Sequence, residues 1–406
     1  MSTSYGSRPT STFVVKLKIA TVVALSLLTI THSPALELNA QESSEQKVAT
    51  SSESTVLADC GCSSGCADDC LQSYGQPTPC ECHAPDFFYQ PKRKLFKDRY
   101  TRIQDCQSQM VMRPGDEFWW VSSRHLPLKS CEFELCYYKF ENCQAQRSSL
   151  QELKSAHTQN PNLINFVYIH ENRADLNKSE MRFWQSYNIL INQAPNAPPV
   201  RYIFFSWPAD QVRGQIKDVK KKSVICNYHA YYLAWFLCQI QDFHKPSLGG
   251  YSYGCRLGLD ALHIAGGGTK KCQALPEDML IKEPRFRAAF VATAMQNDCT
   301  TEGGICNFTY QTLDHLTLLN NSNDKVLKMY HLLSDNGASA IGREGVCNVC
   351  ALPDGGQKLT QIDATCIAGR SHKLEDYYKS ECLRQKIRDT IFWRDVKKAD
   401  SSCTQD

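Results

Sequence analysis

The sequence carries little net charge, +3 over 406 residues. It also lacks a basic stripe with interleaved aromatics, which argues against a nucleic-acid partner. The short run Lys220-Lys221-Lys222 reads as a solvated helix face. No internal repeat is present, which argues against a solenoid or a propeller. The apolar run Ile19–Ile30 is short for a membrane-spanning helix. The N-terminal cysteine spacings match no common zinc finger.

What is present begins with that apolar run. Arg8, Lys16 and Lys18 precede it, and Ser33-Pro34-Ala35 follows, with Ala40 a second small-residue site. A basic segment, a short apolar core and small residues together describe a secretory signal peptide over 1–35. The alternative is an uncleaved signal anchor, which would hold the chain at a membrane or cell surface through its N-terminus. Both readings expect export: secreted, periplasmic or cell-surface. The 21 cysteines, spread along the chain, suit an oxidising compartment, and their odd number leaves one thiol free or paired with another chain.

Composition then divides the chain. Residues 36–59 are rich in Ser, Glu and Gln and read as a linker. Residues 60–115 form a Cys-rich segment with Cys60, Cys62, Cys66, Cys70, Cys80 and Cys82. A disulfide knot is the expectation there, with a metal site or a surface attachment as alternatives. From Asp116 to about residue 400 the pattern is globular. Glu117–Val121 and Cys136–Phe140 read as two strands, and Leu150–Thr158 as a helix.

A regular alternation follows. Leu163–His170, Arg201–Trp207, Pro246–Tyr251, Arg285–Ala294, His315–Asn320 and Lys358–Ile367 read as strands. Val212–Phe243, Cys255–Ile264, Asp324–Leu333 and Leu374–Phe392 read as helices. Near-continuous apolar strands alternating with helices predict an α/β fold, with a mostly parallel central sheet covered on both faces.

The sharpest local signal is Gly250-Tyr251-Ser252-Tyr253-Gly254, a G-x-S-x-G between a strand and a helix. A nucleophile at such a corner needs a tight turn that side chains at the flanking positions would obstruct. The turn also aims the Tyr253 N–H, at the start of a helix, at a developing oxyanion. A serine hydroxyl needs a base, and the chain order expected is Ser, then acid, then His. Asp324, after the strand His315–Asn320, is the expected acid and would also serve as a helix N-cap; Asp298 is the alternative. His372, in the loop Gly369–His372, is the expected base, while His263, His315 and His331 read as structural or solvated. The second oxyanion donor is expected from the backbone of Glu171 or Asn172, after the strand Leu163–His170.

These residues together resemble the α/β-hydrolase superfamily, and more narrowly a mainly bacterial branch of esterase/lipase-like proteins. The resemblance rests on Phe204-Phe205-Ser206-Trp207-Pro208, on Ser252-Tyr253-Gly254-Cys255-Arg256-Leu257, and on the Asn-rich stretch Asn320–Asn323 before Asp324-Lys325-Val326-Leu327. It covers roughly Leu163 to Phe392 and implies that Ser252, Asp324 and His372 are nucleophile, acid and base. Two positions depart from the branch: Glu171 stands where glycine is usual, and Tyr251 where histidine is usual. A carboxylate at 171 would oppose an oxyanion unless it points away or pairs, Arg173 being the nearest cation.

The function expected is a secreted serine hydrolase acting on a small-molecule or lipid ester through an acyl-enzyme, with no cofactor and no metal. The alternative is a non-catalytic exported binding or scaffold protein on the same fold, a reading that Glu171 favours. A third reading is redox or metal chemistry at Cys347-Asn348-Val349-Cys350, which lies in a loop and reads better as a structural disulfide. Thr300–Tyr310 and Asn336–Gly356 are loop-rich lid candidates, and three sequons begin at Asn177, Asn307 and Asn320.

Overall fold

The computed structural model describes residues 112–395, except 131, 142, 143, 333 and 335. The signal-peptide and linker assignments, and all but the end of the Cys-rich segment, lie outside the described residues.

Nine strands form one sheet in the order β3-β2-β1-β5-β4-β6-β7-β8-β9. They are β1 (Glu117–Ser122), β2 (Cys136–Glu141), β3 (Gln144–Ser148), β4 (Ile164–Ile169), β5 (Val200–Ser206), β6 (Ser247–Tyr251), β7 (Phe286–Val291), β8 (Leu313–Asn320) and β9 (Leu359–Asp363). The β1–β2 and β2–β3 pairs are antiparallel. The other six pairs, from β1–β5 across to β8–β9, are parallel. The parallel part explains the apolar runs: every residue of β4 and β5 is buried, so both faces are covered.

The helices are α1 (Leu150–Gln159), α2 (Leu176–Tyr187), α3 (Gln215–Gln239), α4 (Tyr253–Ala265), α5 (Thr309–Thr312), α6 (Ile341–Glu344), α7 (Thr365–Ala368), α8 (Leu374–Tyr378) and α9 (Glu381–Ile391). Ser149 caps α1 in a reciprocal box with Glu152, and Asp175 caps α2 through the Lys178 N–H. Helix α3 packs along α4, and α9 lies against β6, β7 and β8.

Five segments depart from the sequence reading. Strand β3 is a third N-terminal strand; its sequence QAQRS is polar because it is an exposed edge. Helix α2 was not foreseen. The stretch after Asp324 forms a short 3-10 helix, Leu327–Leu332, not an α-helix. The last strand stops at Asp363, and the closing helix is two helices, divided where Ser380 caps α9.

Candidate active site

The strand-to-helix corner between β6 and α4 is as tight as the glycines suggested. Ser252 has φ 54° and ψ −114°, a left-handed backbone that a non-glycine residue adopts at a cost of about 1–3 kcal/mol. Two bonds hold it: the Ser252 N–H donates to Val291 O at 3.0 Å, and Ala294 N–H donates to Ser252 O at 3.2 Å. A Cβ on Gly254 would lie 2.3 Å from Ile169 O and 2.7 Å from His170 O. That close approach packs the start of α4 directly against the end of β4, where the loop carrying Glu171 begins. Tyr253 supplies the first amide of α4, which has no intrahelical partner and is free to face an anion.

Three chain segments far apart in sequence meet at Ser252. Its Oγ lies 3.0 Å from His372 Nε2, and His372 Nδ1 lies 2.6 Å from Asp324 Oδ2. Asp324 is fully buried. Its Oδ1 accepts the Val326 and Leu327 N–H groups at 2.8 and 2.9 Å, so the residue both caps the 3-10 turn and faces the imidazole. The Tyr377 hydroxyl lies 3.5 Å from Oδ2. The alternative acid, Asp298, instead binds the Asn336 side chain at 2.6 Å. The other histidines have separate partners: His315 binds Thr360, His263 accepts the Phe308 N–H, and exposed His331 meets Lys328 O.

The base loop has an anchor that sequence reasoning missed. The Tyr251 hydroxyl donates to the His372 carbonyl, and its ring sits 5.4 Å from the imidazole, centroid to centroid. Burial pushes the phenol well above its ordinary range, so it remains a donor. The Asn321 side chain donates to Ser371 O at 3.1 Å from the other side. The only signal in the sequence was the unusual residue at position 251. Tyr251→Phe is expected to lower kcat/KM for an ester about 3- to 10-fold, the worth of one modest hydrogen bond. KM should hold and kcat should fall, because the hydroxyl holds the His372 backbone and does not reach Ser252. Steady-state kinetics on the variant check this.

The carboxylate of Glu171 is buried and paired, but not with Arg173. Its Oε1 meets Arg182 Nε at 2.8 Å and Lys178 Nζ at 3.2 Å, and Arg182 continues to Glu375 Oε1 at 2.7 Å. Burial alone would raise the Glu171 pKa; Arg182 and Lys178 outweigh it and hold the group down at about 2. The charge is therefore balanced within the protein by two cations. Arg173 pairs instead with Asp218 on α3, at 2.7 Å. The Asn172 side chain also reaches Asp218, at 3.1 Å, and so ties the loop after β4 to α3.

His170 fixes that loop from beneath. Its Nε2 accepts the Trp207 N–H at 3.1 Å, its Nδ1 lies 2.9 Å from Glu171 O, and Trp207 Nε1 donates to His170 O at 2.9 Å. This is what the Ser206-Trp207-Pro208 stretch does in space: it locks the β4 exit. Burial lowers His170 and His229 to about 3, and His263 and His315 to about 4. Folded pKa values below the unfolded value of about 6.5 mean that the unfolded chain binds protons first. Stability is then complete above pH 6.5 and falls as the pH drops from 6.5 toward 4. The slope is about 1.4 kcal/mol per pH unit for each fully buried imidazole. Calorimetric Tm values should hold between pH 7.5 and 6.5 and decline from there to pH 4.5; a profile flat down to pH 4.5 would contradict this.

Neither lid candidate is loose in the structure. Ile341 and Gly342 donate to Met295 O and Thr293 O, and Gly342 O accepts the Asn321 N–H, so the 336–345 stretch is tied to the ends of β7 and β8. Cys306 N–H donates to Cys299 O, closing the other loop on itself. Cys347 is a free thiol, so it is not joined to Cys350. Among the described residues no group of three or more His, Cys, Asp or Glu side chains could hold a metal ion.

No protein-family model matches this chain, and no curated protein matches it either.

Proposed function

We propose that the protein is an exported serine hydrolase that cleaves carboxylic esters through an acyl-enzyme on Ser252, on an α/β-hydrolase fold. The observation that carries the reading is the continuous relay from the Ser252 hydroxyl through both nitrogens of His372 to Asp324. In the reaction, His372 Nε2 takes the Ser252 proton as Oγ attacks the ester carbonyl. The Tyr253 N–H, with a backbone N–H of Glu171 or Asn172, receives the oxyanion. Asp324 holds the Nδ1–H tautomer and stabilises the imidazolium. His372 then returns the proton to the departing alkoxide, and water, deprotonated by the same imidazole, releases the acid.

The scaffold alternative rested on Glu171 opposing the oxyanion. Its ion pairs with Arg182 and Lys178 remove that objection. A stopped-flow burst decides between the two readings. An activated p-nitrophenyl ester should give a burst of about one p-nitrophenol per chain if acylation outruns deacylation, and steady hydrolysis otherwise. Ser252→Ala should abolish either. Turnover of wild-type protein that survives Ser252→Ala would overturn the proposal.

A further inference from the structure

Eight large apolar side chains are exposed among the described residues, and six of them lie on three segments around the triad: Ile216, Val224, Val326, Met329, Leu332 and Ile367. Each segment is bonded to the site. The N-terminal half of α3 receives the Tyr253 hydroxyl at Val219 O, 3.3 Å, and its Asp218 holds the oxyanion loop. The 3-10 turn Leu327–Leu332 follows Asp324 directly. Helix α7 precedes the His372 loop and accepts the Ser322 N–H at Thr365 Oγ1, 3.0 Å. Arg256 on α4 links the first two, with 3.3 Å bonds to Asn227 Oδ1 and the Tyr330 hydroxyl.

The exposed charge on these segments is predominantly positive. Over 211–224 the exposed charged residues are Arg213, Lys217, Lys220 and Lys221. Over 322–332 they are Lys325 and Lys328, and over 365–373 Arg370 and Lys373. Asp218 and Asp324, the acidic residues within these spans, are buried. These segments carry eight exposed cations; the exposed acids that adjoin them are Asp210, before α3, and Asp363, whose carboxylate accepts the Thr365 N–H at the start of α7, so the local balance is strongly positive on a chain of net charge +3.

We infer that this face docks on an anionic lipid surface, with the exposed apolar side chains entering the headgroup boundary and the cations meeting lipid phosphates. Apolar residues rimmed by Lys and Arg suit such a surface, because the two contributions add. Resting on the hydrolase reading, the inference makes the substrate class a lipid ester presented at the interface and taken directly into the Ser252 site.

The test is co-sedimentation of the full chain with phosphatidylcholine vesicles, with and without about 30 % phosphatidylglycerol. The readout is the gain in bound fraction that phosphatidylglycerol produces, so lipid affinity elsewhere in the chain cancels. Wild type and Ser252→Ala should show the same gain, which separates docking from chemistry. Lys220→Glu/Lys221→Glu should cut the gain about tenfold or more. Met329→Glu/Leu332→Glu should cut it similarly, while both variants keep the wild-type rate on a soluble short-chain ester. No gain, or a gain that both double variants retain, overturns the inference, an acidic protein partner being the reading that would then replace it.

Discussion

His372→Ala is expected to lower kcat/KM for an activated ester by about 10⁴-fold or more, with little change in Tm. The imidazole bridges Ser252 and Asp324, and no other described side chain is bonded to both, so its loss leaves the hydroxyl without a base at neutral pH. Residual catalysis would come from the oxyanion donors and from binding. Because the three groups act as a unit, Ser252→Ala combined with His372→Ala should cost little more than either alone. Asp324→Asn should cost about 10³- to 10⁴-fold, since an amide can stabilise the wrong imidazole tautomer. That variant needs a fold control, because Asp324 also caps the following turn through Val326 and Leu327. Steady-state rates with matched circular-dichroism melts would check all three. A His372→Ala enzyme within tenfold of wild type would remove His372 from the mechanism.

The second large effect concerns Arg182. Arg182→Met should destabilise the fold by about 3–5 kcal/mol, because it strands a buried carboxylate. Glu171 would keep only Lys178, which is half-exposed, and Glu375 would lose its partner too. Two consequences separate this from simple loss of packing. Above its new, higher pKa the Glu171 carboxylate, left with Lys178 alone, would oppose the oxyanion more strongly, so kcat should fall further than stability alone explains. Adding Glu171→Gln should recover much of both losses, since removing both charges leaves no uncompensated ion. Urea midpoints and ester kinetics on the two variants check it. A double variant no better than Arg182→Met would contradict the pairing.

How far the sequence foretells this arrangement depends on whether the determinant is local. Strands β4, β5, β7 and β8 are legible because burial on both faces leaves a continuous apolar run. The elbow is legible because its G-x-S-x-G motif is contiguous: Gly250 meets the backbone of its own turn at Gly254 and Cys255, while Gly254 is required by a distant contact, Ile169 O and His170 O at the end of β4. Edge strand β3 is not, since it buries little and so carries no pattern. Helix α2 was missed because its large apolar residues, Phe183, Trp184 and Tyr187, crowd its C-terminal half and leave no repeat in the first turns. The partner of Glu171 was assigned to Arg173 by proximity in sequence; Arg182 wins because α2 carries it back over the β4 exit. Tyr251 was visible only as an unusual residue, for its target is a carbonyl 121 positions away.

The central claim is that Ser252 is made nucleophilic by His372 and Asp324. Mapping the adduct of a fluorophosphonate probe by peptide mass spectrometry tests it most directly. The account predicts a stoichiometric adduct on Ser252, absent in Ser252→Ala and strongly slowed in His372→Ala. A well-folded wild-type protein that acquires no adduct, or acquires it on another serine, would contradict the account.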